Sequence, residues 1–119
     1  MSARFRRPVT VTTISHASVF ALHGEFDLSN VGPVAIELDA AVRRGDTAIV
    51  VDLTDAGFIN TTLINALFQA CAQLRQRGGH LAIVTTDAHA RRVMELTALD
   101  QAARIYDTVE DAALASTRR

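Results

Sequence analysis

The amino-acid sequence predicts an α/β fold: a single mixed, mostly parallel β-sheet flanked by helices, in the order β-β-α-β-α-β-α-β-α. Three features predict it. The segment Ala48-Ile49-Val50-Val51-Asp52-Leu53 is a nearly unbroken apolar, β-prone run, the pattern of a strand covered on both faces. From Thr61 the hydrophobic spacing changes to that of an amphipathic helix. The strands that follow are separated by single helices, which implies right-handed crossovers and parallel pairing, with antiparallel pairing only at the start of the chain. The 119 residues suit one compact domain. A domain of this size buries about two-thirds of its unfolded surface, enough to fold without a disulfide or a metal. Residues 1–8 and 116–119 are expected to be flexible tails of a single domain spanning 1–119.

The elements follow in order. Val9, Val11 and Thr13 alternate with Thr10 and Thr12, and residues 17–22 form a second strand after a tight turn at Ser15-His16. Gly24 ends that strand, and 25–32 is a loop. Pro33 suits the first turn of a helix, where its missing N–H costs nothing. Val34, Leu38, Ala41 and Val42 make the apolar face of this helix. Its early Glu37 and Asp39 and late Arg43 and Arg44 suit the helix dipole, and Gly45 stops it. Beyond the central strand, 55–60 is a connection to a helix over 61–77. Ile64, Leu67, Phe68, Cys71 and Leu74 form its buried face, while Asn65, Gln69, Gln73 and Gln76 point outward. Gly78-Gly79 ends it. Residues 81–84 form another buried strand. Ala90, Val93 and Met94, with Leu96 as a further candidate, form a short helix, and 104–106 is a brief last strand. Thr108 with Asp111 resembles a capping box opening a terminal helix through Leu114.

Composition excludes several classes of function. Twelve basic residues face thirteen acidic ones, so the chain lacks the electrostatic footprint of a nucleic-acid binder. No run approaches the ~20 apolar residues of a membrane span, and the arginines at 4, 6 and 7 precede no apolar stretch of the secretory type. With Cys71 as the only cysteine, no intramolecular disulfide forms. A reducing, cytoplasmic setting is the expectation. Cys71 falls on an apolar helix face, where a small core side chain is the leading role and redox sensing the alternative.

Catalytic signatures are not found. His16, His23, His80 and His89 lack metal-ligand spacing and have no second cysteine to join them. No Gly-rich phosphate loop opens a helix, and no nucleophile sits in a recognisable elbow. The expectation is no enzyme, no metal and no cofactor. One junction stands out: Gly57-Phe58-Ile59-Asn60-Thr61-Thr62-Leu63, where a strand leads through a short loop to a helix start rich in amide and hydroxyl groups. Asn60 or Thr61 can cap the free N–H groups. With Asn60 as N-cap, Thr62 is the second helical residue, and a phosphate there gains from the helix dipole and the backbone donors. Capping alone explains the same residues.

Several segments together resemble the STAS family of anti-sigma-factor antagonists. Gly24-Glu25-Phe26-Asp27 resembles the family's Gly-Glu-Leu-Asp segment. Val50-Val51-Asp52-Leu53-Thr54 followed by Phe58-Ile59-Asn60-Thr61-Thr62 resembles its strand, loop and Asp-Ser-Ser-Gly helix start. Arg77-Gly78-Gly79-His80-Leu81 resembles the turn into its next strand, and Val93-Met94-Glu95-Leu96-Thr97-Ala98-Leu99-Asp100 its late helix. The similarity spans about residues 9–115.

This resemblance implies partner switching: the unphosphorylated antagonist binds an anti-sigma factor, usually also a serine kinase, and phosphorylation breaks the complex. The implied phosphoacceptor is Thr62, with Thr61 as second choice. The implied partner surface comprises Glu25, Asp27, Ser29 and Asn30 in the loop, with Asn60, Thr61 and Leu63 at the helix start. A homodimer is left open. The sequence departs from the family pattern where Asn60 replaces the aspartate, Thr61-Thr62 the serine pair and Leu63 the glycine. Leu63 either extends an apolar contact surface or packs down. Two alternatives stay open: a STAS-like small subunit of a lipid-transport ABC complex, and a constitutive interaction module without a phosphoswitch.

Overall fold

A computed structural model describes residues 8–26, 28–57 and 59–117. The elements are β1 (Val9–Ile14), β2 (Ala17–Leu22), α1 (Val31–Arg43), β3 (Ala48–Asp52), α2 (Thr61–Gln76), β4 (His80–Val84), α3 (Ala88–Thr97), α4 (Leu99–Ala102), β5 (Arg104–Tyr106) and α5 (Val109–Thr117). They form one five-stranded sheet in the order β1-β2-β3-β4-β5. β1 and β2 pair antiparallel, and β2, β3, β4 and β5 pair parallel. The β1–β2 turn is as tight as the sequence predicts. Ser15 and His16 both take positive φ, 51° and 70°, the two-residue geometry whose twist matches that of the flanking strands.

Alternation along the inner strands divides two cores. Ile49 and Val51 of β3 and Leu81 and Ile83 of β4 face one side, where they meet Val34 and Leu38 of α1, Leu63, Leu67 and Leu74 of α2, Met94 of α3 and Leu99 of α4. Val50, Ala82 and Val84 face the other side, where Ala112 and Ala113 of α5 cover them. The crossover helices α1–α4 therefore share one face, as consecutive parallel strands with one crossover hand require, and among the described residues α5 alone closes the second.

Local departures from the predicted elements have identifiable causes. α1 begins at Val31, so Pro33 lies inside the first turn, where backbone N–H groups lack intrahelical partners anyway. In α2 the buried face includes Leu63 and Ala70, while Phe68 is only partly buried. The predicted single helix between β4 and β5 is two. Ala98 adopts the left-handed conformation (φ 65°), ending α3 and opening α4. Leu96 is 70% exposed, because the buried stripe of α3 runs through Ala90 and Met94 one turn apart. Thr108 Oγ1 accepts the Asp111 N–H at 3.1 Å, as the capping pattern predicts, but α5 continues to Thr117, so Ser116 and Thr117 are helical rather than tail. Residues 1–7, 118 and 119 lie outside the described residues.

Candidate functional site

In a parallel sheet every helix starts from the same edge, so the β2–α1 and β3–α2 connections come together at the carboxyl ends of the strands. Here they are stitched to one another. Gly24 and Ala56 form a parallel bridge, with the Gly24 N–H donating to the Asp55 carbonyl at 3.1 Å and the Gly57 N–H to the Gly24 carbonyl at 2.8 Å. His23 spans the same seam: its Nδ1 lies 2.9 Å from Asp55 Oδ2 and its Nε2 3.0 Å from Thr10 Oγ1. The Glu25 side chain lies against Gly57, where a Cβ would come within 2.8 Å of Glu25 Oε2. Glycine is what leaves room for that close approach.

Asn60 is the N-cap of α2. Its Oδ1 accepts the Leu63 N–H at 3.1 Å, and its Nδ2 donates to the Phe26 carbonyl across the seam. Thr61 follows, exposed, and Thr62 is half-buried, one helical turn before Ala66. Ala66 lines a shallow groove of about 240 Å³ between α1 and α2, with Ile36, Asp39 and Gln69 on its walls. Leu63 is fully buried. The open alternative at that position resolves to packing down, because the third helical residue faces the sheet. Leu63 is accordingly corrected from a partner contact to a core residue.

In the facing loop Glu25 and Ser29 are exposed and Asn30 is half-buried, donating from Nδ2 to the Glu25 carbonyl at 2.7 Å. Asp27 and Phe58 lie outside the described residues. Phe26 and Ile59 are buried anchors at 1% and 6% exposure. The structure thus brings Glu25, Ser29, Asn30, Asn60, Thr61 and Thr62 to one edge of the molecule. Sequence reasoning missed Leu28, 86% exposed between these polar residues, and Ile36, 69% exposed on α1. A leucine in a polar loop is the signal that could have found Leu28. Ile36 falls off the apolar stripe of Val34, Leu38, Ala41 and Val42, which is a signal of its own.

A second cavity, about 320 Å³, lies beside the seam and is lined by Thr54, Gly57, Thr85, Asp87 and His89 among others. Its polar groups serve the turns: Thr85 Oγ1 accepts the Asp87 N–H at 3.2 Å, and Asp87 Oδ2 caps α3 at the Ala90 N–H at 2.8 Å. Among the described residues no cluster of histidine, cysteine and carboxylate groups could hold a metal ion, and no helix is long and apolar enough to cross a membrane. The edge offers hydroxyls, amides and isolated apolar side chains.

These features define a small α/β domain, a mostly parallel five-stranded sheet with helices on both faces. The chain belongs to the STAS domain family, whose model matches residues 8–112. It is similar to the anti-sigma-F factor antagonist RsfB of Mycobacterium tuberculosis, 26% identical over 106 residues that cover 87% of this chain and 86% of the relative. The crystal structure of an anti-sigma factor antagonist from Mycobacterium paratuberculosis superposes with a TM-score of 0.85 at 25% identity, covering 99% of this chain and 100% of that one. The Bacillus cell-fate determinant SpoIIAA in its phosphorylated form shares the fold at a TM-score of 0.73, with 18% identity and coverage of 92% and 99%.

Proposed function

We propose that this protein is an anti-sigma factor antagonist that acts by partner switching. It binds an anti-sigma factor with serine-kinase character in the cytoplasm, through the edge formed by the 25–30 loop and the start of α2, and it catalyses no reaction itself. Thr62 is the phosphoacceptor and Thr61 the second choice. The observation that carries this reading is the capped, hydroxyl-bearing start of α2 stitched to the 25–30 loop, in a chain of the STAS family. The names of its relatives supply the partner class. A phosphate at Thr62 adds about −1.5 to −2 charges to a contact surface, and disrupting one central contact can cost several kcal/mol of binding, enough to invert a switch.

Half-burial of Thr62 bears on which hydroxyl the kinase takes. Thr61 is the more open of the two, so a kinase taking Thr62 must reach a half-buried hydroxyl past it. Partner recovery from the native host identifies the binding protein: a sigma-regulating kinase-like protein supports the proposal, and ABC-transporter ATPase subunits would overturn it in favour of the lipid-transport alternative. With that partner in hand, calorimetry compares wild type with two variants, each first shown to be folded. Thr62→Glu is expected to weaken binding by about tenfold or more, and Thr62→Ala to leave it close to wild type. Equal affinity for wild type and Thr62→Glu removes Thr62 from the interface. Normal binding with no phosphate on either threonine in cells marks a constitutive module.

A further inference from the structure

We propose that Asn60 is a positioning residue that couples the start of α2 to the 25–30 loop, and that its amide performs a task the carboxylate of the family pattern cannot. A carboxamide carries an acceptor oxygen and a donor nitrogen, whereas an ionised carboxylate carries acceptors only. Asn60 uses both ends: Oδ1 takes the Leu63 N–H and Nδ2 donates to the Phe26 carbonyl, 34 residues away in sequence. The helix N–H fixes which end of the amide faces which partner, since only the oxygen can accept it. An aspartate here retains the cap but turns an oxygen towards the Phe26 carbonyl, replacing a bond with repulsion between two acceptors. A threonine also retains a capping hydroxyl, yet its shorter side chain has no second group to reach across.

Two further fastenings of the seam lie on the strand side of this point. The Gly24–Ala56 bridge and the His23–Asp55 contact hold the chain before Phe26. Beyond Phe26 the described loop carries the exposed Leu28 and Ser29, and it is closed on itself by Asn30 donating to the Glu25 carbonyl. The Asn60 amide is thus a bond that ties the start of this outer stretch to the helix bearing Thr61 and Thr62. The replacement of aspartate by asparagine is a gain of a cross-loop bond, and a disturbance at Thr62 reaches the loop through the side chain two residues before it. The bearing of this tie on partner binding rests on the function proposed above.

The test uses the full chain with Asn60→Asp and Asn60→Thr, read by backbone ¹⁵N relaxation without any partner. In wild type the amides of Leu28, Ser29 and Asn30 are expected to be ordered, near the ~0.85 order parameter of rigid backbone, and to fall towards about 0.6 in both variants. The first turn of α2 stays ordered in both, because each retains a capping oxygen, whereas Asn60→Ala loosens helix start and loop together. Unchanged loop order in Asn60→Thr overturns the tie. Loosening in Asn60→Asp alone also overturns it, since that assigns the effect to carboxylate repulsion. Affinity for the recovered partner is a separate reading. A loss of about 3–10-fold in both variants is expected, the scale of re-ordering a loop on binding. A loosened loop with unchanged affinity leaves the tie standing and overturns the assignment of the loop to the partner surface.

Discussion

Cys71 lies on the inner face of α2 at 5% exposure, between Leu67 and Leu74 on the same stripe. Burial pushes its thiol from 9.0 up to about 11, and Arg75 one turn further on offsets part of that rise. A thiol with so little thiolate at neutral pH is a poor nucleophile, which favours the core reading over redox sensing. Native-state labelling with a thiol reagent is expected to proceed only as the protein opens; complete modification within minutes would overturn this assignment. The same shift sets a pH dependence. The unfolded chain releases the proton near 9.0 and the folded protein near 11, so above pH 9 the folded state binds more protons than the unfolded one. Cys71 thus favours the folded state fully below pH 9, and that contribution is lost as pH rises from 9 to 11. Urea titrations of wild type and Cys71→Ala across that interval are expected to differ in slope, with the variant flatter. Asn60 illustrates the reverse case at the same scale. Its role as cap was legible from the hydroxyl- and amide-rich helix start, but its bond to Phe26 was not, because a contact across 34 residues leaves no trace in local spacing.

Elements were legible wherever hydrophobic period and stop signals agreed. α2 shows both: its apolar stripe is helical, and Gly78-Gly79 closes it with a Schellman motif. Gly78 takes φ 76° and its N–H meets the Arg75 carbonyl at 3.2 Å, while the Gly79 N–H meets the Leu74 carbonyl at 2.8 Å. The two glycines answer different demands. Gly78 supplies the left-handed conformation. Gly79 permits close approach, since a Cβ there would lie 2.7 Å from the Thr47 carbonyl oxygen and 2.9 Å from its Cα. Gly79→Ala is therefore expected to destabilise the fold by about 1–3 kcal/mol as the α2–β4 turn is forced off the start of β3. Equilibrium urea unfolding measures it, and a change below about 0.5 kcal/mol, the scatter of ordinary surface substitutions, would show that the turn shifts freely. α4 escaped notice because its boundary is Ala98 in a left-handed conformation. Alanine is a strong helix former and announces no break, so only tertiary packing of Leu99 reveals it. Thr62 is half-buried, a degree of shelter that depends on tertiary packing and that a helix-start pattern in the sequence does not disclose.

At the scale of the whole molecule the two faces of the sheet are unequal. One face packs large side chains of the sheet such as Phe20 and Leu22 against Leu38, Leu67 and Met94 of the helices α1–α4. The other is covered by α5, whose buried contacts are Ala112 and Ala113 against Ala17, Val19, Val50, Ala82 and Val84. Apolar burial stabilises at about 25 cal/mol per Å², so an alanine-faced helix gains far less from docking than a leucine-faced one of similar length. α5 is also the last element of the described chain, and its removal breaks no strand pairing. It is expected to undock as a unit, at a free energy below that of global unfolding. Native-state hydrogen exchange tests this directly. Amides of Ala113 and Leu114 should exchange with a lower opening free energy than those of Leu67 and Cys71 in α2, and should depend less on denaturant, since undocking one helix exposes less surface. Leu67→Ala separates undocking from general fragility. It should lower the opening free energy of the α2 amides by about 2–5 kcal/mol and leave the α5 amides unchanged for as long as global unfolding remains the costlier event. Identical opening free energies for α2 and α5 in wild type, falling together in Leu67→Ala, would show instead that both faces unfold as one cooperative unit and that the alanine contacts of α5 hold it as firmly as the larger core holds α2.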